Sequence, residues 1–529
     1  MICPFFGLTS SMIVRMFDTP RARICIMLGT CAGLGGGVLL HSSRWGVGLS
    51  PDSVVYIAAA RSLWAGAGFS LPAESELFLP IIHYPPLYSS LLAVTGLVGV
   101  DPLDAAIWLN VAAFSINIFV SGFLLFAALG SWQLALLASL FTLSAFPLVQ
   151  VHTMAWSEPS FIMLELFSIL LLLRYLEKPL MRSLVLASAL AGVSLLCRYA
   201  GLALVASGVI AILCLGARER RDKLTDALIF AGISVLPAAF WAARNWHVGG
   251  NIINRNVSFH PIGLDRIFDV PAVLAGWFSF RVLTFDARVL LWLGLMITGF
   301  VLSYSCLRKA KSIDLRQGDN LVVVMFIVVV SYMAMLSLSL TFLDAQIPVD
   351  SRTLSPIYVP CMILLVALSI RLVFVTASGL KARLLVSTCL ALLLGAQLQV
   401  SATWLQFNHQ NGIGYADRSW RESQTLNRVK RVTPTTTLFS NAPDVLYTLL
   451  NKAAVMVPRK TNPDTNLPNQ HYAAQIAELR RRLKDESGLL VYLDRVAWRW
   501  YLPAAEELER TLGLHVLARE NDGVIYQAR

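Results

Sequence analysis

Long apolar runs alternate with short polar breaks along most of the chain. A membrane-crossing helix needs about 20 mostly apolar residues. Runs of that kind lie at 24–40, 104–129, 132–150, 160–176, 183–197, 200–216, 225–243, 287–307, 320–342, 354–375 and 383–404. The pattern predicts about eleven spans. Two stretches decide that number. The run 183–216 is too long for one helix at about 1.5 Å of rise per residue, so it predicts a hairpin turning near Arg198. The run "PPLYSSLLAVTGLVGV" is too short, because its apolar part makes only roughly 21 Å of helix. It predicts an interfacial or re-entrant segment. From about residue 405 the pattern changes. Short apolar runs ("TTLFSN", "AAVMVP", "GLLVYLD", "LHVLAR", "GVIYQAR") alternate with helical ones ("AAQIAELRRRLKDE", "PAAEELERTLG"), as in a small α/β domain. The predicted fold is mainly α. A polytopic membrane module covers 1–404, with interfacial helices in a first outer loop at about 42–102, and an α/β domain covers 405–529.

Composition and charge orient this picture. Of 529 residues, 56% are hydrophobic and 14% charged, with a net charge of +11; mean hydropathy is +0.64. Such values belong to a membrane protein. With the N-terminus inside, the inside loops become "RYLEKPLMR", "GARERRDKL", "LRKAKSIDLR" and "GLKAR", and they hold the densest Lys and Arg clusters, as the positive-inside rule requires. A further span at Pro85–Val100 would invert every later loop. The predicted topology is therefore N-terminus cytoplasmic and C-terminal domain outside. Outside those loops no basic stripe with interleaved aromatics occurs, which argues against a nucleic-acid partner. Arg15, Arg21 and Arg23 precede the first run, but no A-x-A cleavage site follows it, so it reads as an uncleaved span. The eight cysteines (Cys3, Cys25, Cys31, Cys197, Cys214, Cys306, Cys361, Cys389) include no CxxC and none in the tail. They form neither a disulfide framework nor a zinc site.

Candidate chemistry begins just after the first run, in "SPDSVVYIAAARSLWAGAGFS". Ser50 can cap a helix, Pro51 suits its first position, and Asp52 then falls in the first turn. Tyr56 is four residues on and shares its face. On spacing alone, Asp52 is either a complement to the helix dipole or a working carboxylate. Glu158 in "WSEPSF" heads a span on the same predicted side, and Glu165 lies two turns along it. An acid inside a membrane segment is either functional or paired with another helix. Arg198, Arg244 and Arg352 all stand at outer ends of spans, where snorkelling to the interface competes with anion binding. His83 and Tyr84 are loop residues open to packing or ligand contact. Trp156 and Trp277 suit an aromatic belt or a sugar-stacking role.

These residues fall in an ordered series. "DSVVYIAAARSLWAGAGF" precedes "HYPPLYSSLLA", and "WSEP", "CRYAG", "ARNW" and "SRTLSPIY" follow. The series resembles the GT-C glycosyltransferases, in particular bacterial aminoarabinose transferases and protein mannosyltransferases, and it extends over most of the membrane part. The resemblance rests on Asp52, Tyr56, Ala60-Arg61-Ser62-Leu63 and Pro85-Pro86-Leu87. It implies transfer of a sugar from a polyprenyl-phosphate donor to an acceptor hydroxyl on the outer face, usually with inversion. Such chemistry needs a carboxylate to take the acceptor's proton, cationic groups for the leaving phosphate, and an apolar groove for the lipid. Asp52 is then the general base and Glu158 its assistant. Tyr56, His83, Tyr84, Glu165, Arg198, Arg244 and Arg352 become substrate-binding candidates. A glycan, a lipid or a protein is the expected acceptor, the bilayer is a permanent partner, and a bacterial inner membrane with a periplasmic active site is the expected location. A divalent metal ion stays open, since only some relatives use one. The chain departs from the pattern twice. Ser53 stands where many relatives have a second acid, and Tyr84 stands where aminoarabinose transferases have Lys. Two other readings compete: a lipid-linked sugar flippase or transporter, built around polar groups at mid-depth, and a glycan polymerase or ligase, centred on a large late loop.

Overall fold

A backbone crossing hydrocarbon must satisfy its polar groups internally, so the apolar runs fold as helices. The structure, a computed structural model, describes residues 20–72, 78–252, 257–259, 261–277, 317–344, 347–376, 380–433, 435–461, 467–496 and 498–528, with isolated positions between 284 and 297. Helix α1 (Pro20–Ser42) is the first span. A turn leads to α2 (Pro51–Trp64). The antiparallel ribbon of β1 (Ser70–Pro72) and β2 (Phe78–Pro80) follows. Helix α3 (Leu87–Val94) runs into a 3-10 turn at Thr95–Val98; it is short, as its limited apolar length requires. Next come α4 (Pro102–Leu129), α5 (Trp132–Ser144), α6 (Phe146–His152), α7 (Glu158–Glu177), α8 (Met181–Cys197), α9 (Gly201–Leu215) and α10 (Arg220–Gly249). Helices α11 (Leu264–Trp277), α12 (Gln317–Phe342), α13 (Ser351–Leu354), α14 (Tyr358–Thr376) and α15 (Leu380–Asn411) complete the series.

The protein is an integral membrane protein. Among the described residues six helices are long and apolar enough to cross a membrane, and seven if α5 and α6 form one broken span. The span expected at 132–150 is thus two helices with a break at Ala145. Ala145 is extended (φ −67, ψ 108) and Pro147 opens α6, and the two helices meet at 56°. Proline lacks the N–H needed to continue α5 and clashes with its preceding turn. Helix α10 exceeds its expected 225–243 at both ends and carries Pro237 inside. The loop expected from 244 to 286 contains α11, while the expected span at 287–307 falls largely outside the described residues.

Two compact units divide the chain. The first holds α1, Ile82–Tyr88 and Ile107–His409. Its helices approach closely through small residues, the usual route to packing within a bilayer. Gly192 of α8 meets the Ser234 backbone of α10, Gly208 of α9 meets the Phe230 ring, and Ser234 donates to the Ser188 carbonyl at 2.9 Å. Trp277 corrects an expectation. It belongs neither to a belt nor to a sugar platform but is fully buried edge-on to Tyr358. Its carbonyl accepts from Gln397 at 2.9 Å.

The second unit gathers Arg44–Ile81, Ser89–Ala106 and Gln410–Arg529. After the short helices α16 (Arg418–Arg421) and α17 (Gln424–Lys430) come β3 (Leu438–Ser440), α18 (Pro443–Leu450), β4 (Val455–Met456), α19 (Tyr472–Asp485), β5 (Leu489–Leu493), α20 (Ala505–Leu512), β6 (Leu514–Glu520) and β7 (Gly523–Ala528). Each expected strand and helix is present. The sheet order is β4-β3-β5-β7-β6. Strand β3 runs parallel to β4 and β5, and β7 antiparallel to β5 and β6. Phe439, Leu490, Val524 and Tyr526 of the sheet bury against Ile476, Leu479 and Leu483 of α19 and Leu508 and Leu512 of α20. The i, i+3, i+7 spacing of the α19 set puts it on one helical face.

Candidate functional site

Helix α7 starts at Glu158, with Pro159 fixed in its first turn. The preceding turn is pinned by buried amides. Asn110 donates to the carbonyls of His152 (2.8 Å) and Met154 (2.6 Å), and Asn117 donates to that of Pro159 at 3.3 Å. Glu158 is completely buried. Its Oε1 accepts from Arg198 Nη1 at 2.6 Å and from Arg352 Nε at 2.6 Å. Arg198 sits in the hairpin between α8 and α9, where the sequence pattern puts a turn, and its Nη1 also donates to Ser157 Oγ at 3.1 Å. Arg352 lies in α13, whose N-cap Asp350 accepts from the Thr353 amide at 2.8 Å. The Arg352 guanidinium lies 3.9 Å from the centroid of the Trp156 ring, a close cation–π contact. Tyr332 of α12 donates to the Thr353 carbonyl at 2.5 Å and holds α13 in place.

The electrostatics of this cluster follow from counting charges. Among the described residues one carboxylate, Glu158, contacts two guanidinium groups at the positive end of the α7 dipole. Both arginine side chains keep about a fifth of their surface exposed, 22% for Arg198 and 20% for Arg352, while Glu158 has none. Two guanidinium groups held on one carboxylate have the chemistry to bind an anion, because planar guanidinium groups match phosphate oxygens in pairs. The cluster does not suit a divalent cation, which would share Oε1 with two positive groups. Among the described residues no three His, Cys, Asp or Glu side chains stand together as a metal site. The second Glu158 oxygen, Oε2, is buried with no hydrogen-bond partner among the described residues, as is Oε2 of the buried Glu165.

The remaining candidates are distributed over the two units. Among the described residues Arg244 is held by neighbours on its own helix, α10. Its guanidinium lies 4.8 Å from the Trp241 ring centroid, and its Nη1 donates to Asn245 Oδ1 at 3.1 Å. Asn245, buried and unnoticed in the sequence reading, donates to the carbonyls of Ile82 (3.0 Å) and Ile252 (2.8 Å). It thereby fixes the irregular segment that carries His83 and Tyr84, whose rings pack 4.4 Å apart. The only signal for it was its place in "ARNW".

Asp52 and Tyr56 belong to the second unit. Ser50 caps α2 and accepts from the Ser53 amide, while Ser53 Oγ accepts from the Ser50 amide at 3.0 Å. The residue that stands in place of a second acid is therefore the return half of a capping box, and it is fully buried. Asp52 is half-buried in the first turn and Tyr56 is buried one turn on. Arg61, three turns into α2, forms a bidentate pair with Asp101.

No family model matches the sequence, and no curated protein matches it. Solved structures do. ArnT from Cupriavidus metallidurans in the apo state is 14% identical, with 95% of this chain and 97% of that one covered at a TM-score of 0.60. The same protein bound to undecaprenyl phosphate gives 13% identity, 94% and 97% coverage and a TM-score of 0.58. The oligosaccharyltransferase AglB from Archaeoglobus fulgidus, in complex with an inhibitory peptide and a dolichol-phosphate, gives 11% identity, 88% and 69% coverage and a TM-score of 0.52. Both are GT-C proteins, and the match runs through the membrane helices and the C-terminal domain alike: the chain has the GT-C fold.

Proposed function

We propose that the protein is a membrane glycosyltransferase that moves a sugar from a polyprenyl-phosphate donor to an acceptor hydroxyl on the outer face of the membrane, with inversion. The observation that carries this reading is the buried Glu158 holding Arg198 and Arg352 on one carboxylate oxygen, with each arginine side chain about a fifth exposed. In the reaction Asp52 removes the acceptor's proton as the acceptor oxygen bonds to the anomeric carbon. The bond from that carbon to the phosphate oxygen breaks, and the electron pair leaves with the phosphate. Arg198 and Arg352 stabilise the charge that develops there. Glu158 keeps the two guanidinium groups from separating and meets no reacting atom. Tyr56, His83, Tyr84, Glu165 and Arg244 line the substrates. The fold similarity to ArnT and AglB, whose structures hold undecaprenyl phosphate and dolichol-phosphate, supports a lipid-phosphate donor. The acceptor is a glycan, a lipid or a protein. The charge pattern supports about eleven spans in a bacterial inner membrane, with the N-terminus cytoplasmic, a membrane module at 1–404 and a periplasmic domain at 405–529.

The test is transfer by the purified protein in liposomes supplied with polyprenyl-phosphate sugars and candidate acceptors. Asp52→Asn is expected to lower the rate by about 10²–10⁴-fold with an unchanged thermal denaturation midpoint. Full activity in that variant removes Asp52 as the base. The flippase reading has the buried Glu165, with its unpartnered oxygen, on its side. Movement of the lipid-linked sugar across the bilayer without glycosyl transfer would select it.

A further inference from the structure

Both ends of helix α2 are held by the C-terminal part of the chain. At its N-terminal end, Leu49 directly precedes the cap Ser50. The Leu49 amide donates to the Ile413 carbonyl at 3.2 Å, and the Tyr415 amide donates to the Leu49 carbonyl at 3.0 Å. Gly414 sits between them at φ +62, and a Cβ there would strike the Leu49 carbonyl. The Tyr415 hydroxyl accepts from Arg499 Nη2 at 3.1 Å. Arg499, only 5% exposed, also donates to Asp444 Oδ2 at 2.7 Å and to the Asn441 carbonyl at 2.8 Å. At the C-terminal end of α2, Arg61 fits Asp101 with two parallel bonds, Nε to Oδ2 at 3.0 Å and Nη2 to Oδ1 at 2.9 Å. Its remaining Nη1 donates to the Tyr447 carbonyl at 3.2 Å, and its guanidinium lies 5.6 Å from the Tyr447 ring centroid. Asp444 and Tyr447 both belong to α18 and stand three residues apart, so they share a face. Val445 and Leu446 anchor that helix in the core.

We infer that the C-terminal α/β domain is the mount of α2, and that Arg61, Gly414 and Arg499 are positioning residues for Asp52. The inference rests on the reading of Asp52 as the base. Helix α2 spans roughly 21 Å and is too short to stay helical unaided. A general base works only within hydrogen-bond reach of its proton, and a displacement of about 1 Å can cost on the order of a hundredfold in rate. Fixing both ends of the helix fixes the carboxylate in its first turn. On this view Arg61 was visible in the sequence as part of "AARSL", but its partner in the tail was not.

The experiment uses the full chain in nanodiscs with Arg61→Ala and Arg61→Lys, and reads two quantities. The first is backbone hydrogen exchange over Pro51–Trp64. It is expected to speed up by about tenfold or more in Arg61→Ala, as the loss of charge-assisted hydrogen bonds implies. Arg61→Lys, which keeps the charge without the fork, is expected to fall between Arg61→Ala and wild type. The second is transfer kinetics, where kcat is expected to fall about tenfold in Arg61→Ala with the donor KM unchanged and a partial recovery in Arg61→Lys. Unchanged exchange over α2 overturns the mount. Faster exchange with an unchanged kcat overturns the positioning role. Should Arg61→Ala fail to fold, the same two readouts on Arg61→Lys decide in the same way. If the wild type transfers no sugar, the functional reading fails, and the exchange measurement still decides whether the domain holds α2.

Discussion

In the helical unit, Glu158 is sealed from solvent and gives one oxygen to two guanidinium groups. In the α/β unit, Arg481 reaches Glu478 at 2.6 Å and Asp485 at 3.0 Å along the exposed face of α19. The distances are alike and the consequences are not. Taking a carboxylate out of water costs several kcal/mol in effect, and only close partners offset it. The exposed pairs on α19 compete with water and salt and contribute little. A buried charge cluster is thus an expensive way to join α7, the α8–α9 turn and α13. Under the proposed function, its presence at the start of α7 serves the donor phosphate. A second buried carboxylate in the helical unit gives the contrast at the other end of α7. Asp226 takes Tyr175 at 2.5 Å and Arg218 at 3.0 Å, but there the one cation also reaches Asp222 at 3.4 Å and so answers two acids.

Three changes test this contrast. Glu158→Ala leaves two guanidinium groups facing each other without their carboxylate. The expected loss is about 3–5 kcal/mol, seen as a clear fall in the thermal midpoint of the detergent-solubilised protein. A midpoint equal to wild type would mean the cluster is already open to water. Asp494→Asn probes a milder conflict. Burial and the neighbouring Asp522 raise the Asp494 pKa above its usual value. A carboxyl with a raised folded pKa stabilises the fold while protonated, at low pH, and loses that contribution as pH rises. The ionised form is therefore a slight liability at neutral pH, screened by its exposure. Asp494→Asn is expected to raise the midpoint by on the order of 1 °C at pH 7, with the advantage shrinking as pH falls into the carboxylate range. A lowered midpoint at pH 7 would reverse that sign. Arg481→Ala should do least, leaving the midpoint at pH 7 unchanged within error. A marked fall would show that exposure is a poor guide to the worth of these pairs.

Local rules carried the sequence reading a long way. Ser50 and Pro51 mark the start of α2, and the predicted hairpin near Arg198 lies between Cys197 and Gly201. The alternating runs of the tail are each realised as a strand or a helix. Periodicity and capping are properties of neighbouring residues, so one sequence displays them. Pro147 was a local signal passed over, because the apolar run continues through it. What the sequence does not display is pairing at a distance. Glu158 and Arg352 are 194 positions apart, and nothing in either segment says that they meet. The same holds for Arg61, whose partner Tyr447 lies 386 positions on, and for Trp277, where composition suggested an interface and packing buried the ring. Asp52 was legible as a capped acid, and the partner role of Ser53 follows from the same local geometry.

The backbone pairing beside Leu49 also has a consequence in time. Trp45 donates to the Gln410 carbonyl across 365 positions, and Leu49 and Gly414 bridge over an equal interval. A ribosome adding about 5–20 residues per second needs roughly 20 to 70 seconds to cover that distance. During that interval α2 has been made and its mount has not. The segment that carries Asp52 therefore waits with only its early Arg61–Asp101 pair while every described membrane helix after it is synthesised. It settles only when the end of the chain emerges. Premature termination between α15 and α18 would leave a protein with its described membrane helices formed and α2 without its Tyr447 contact.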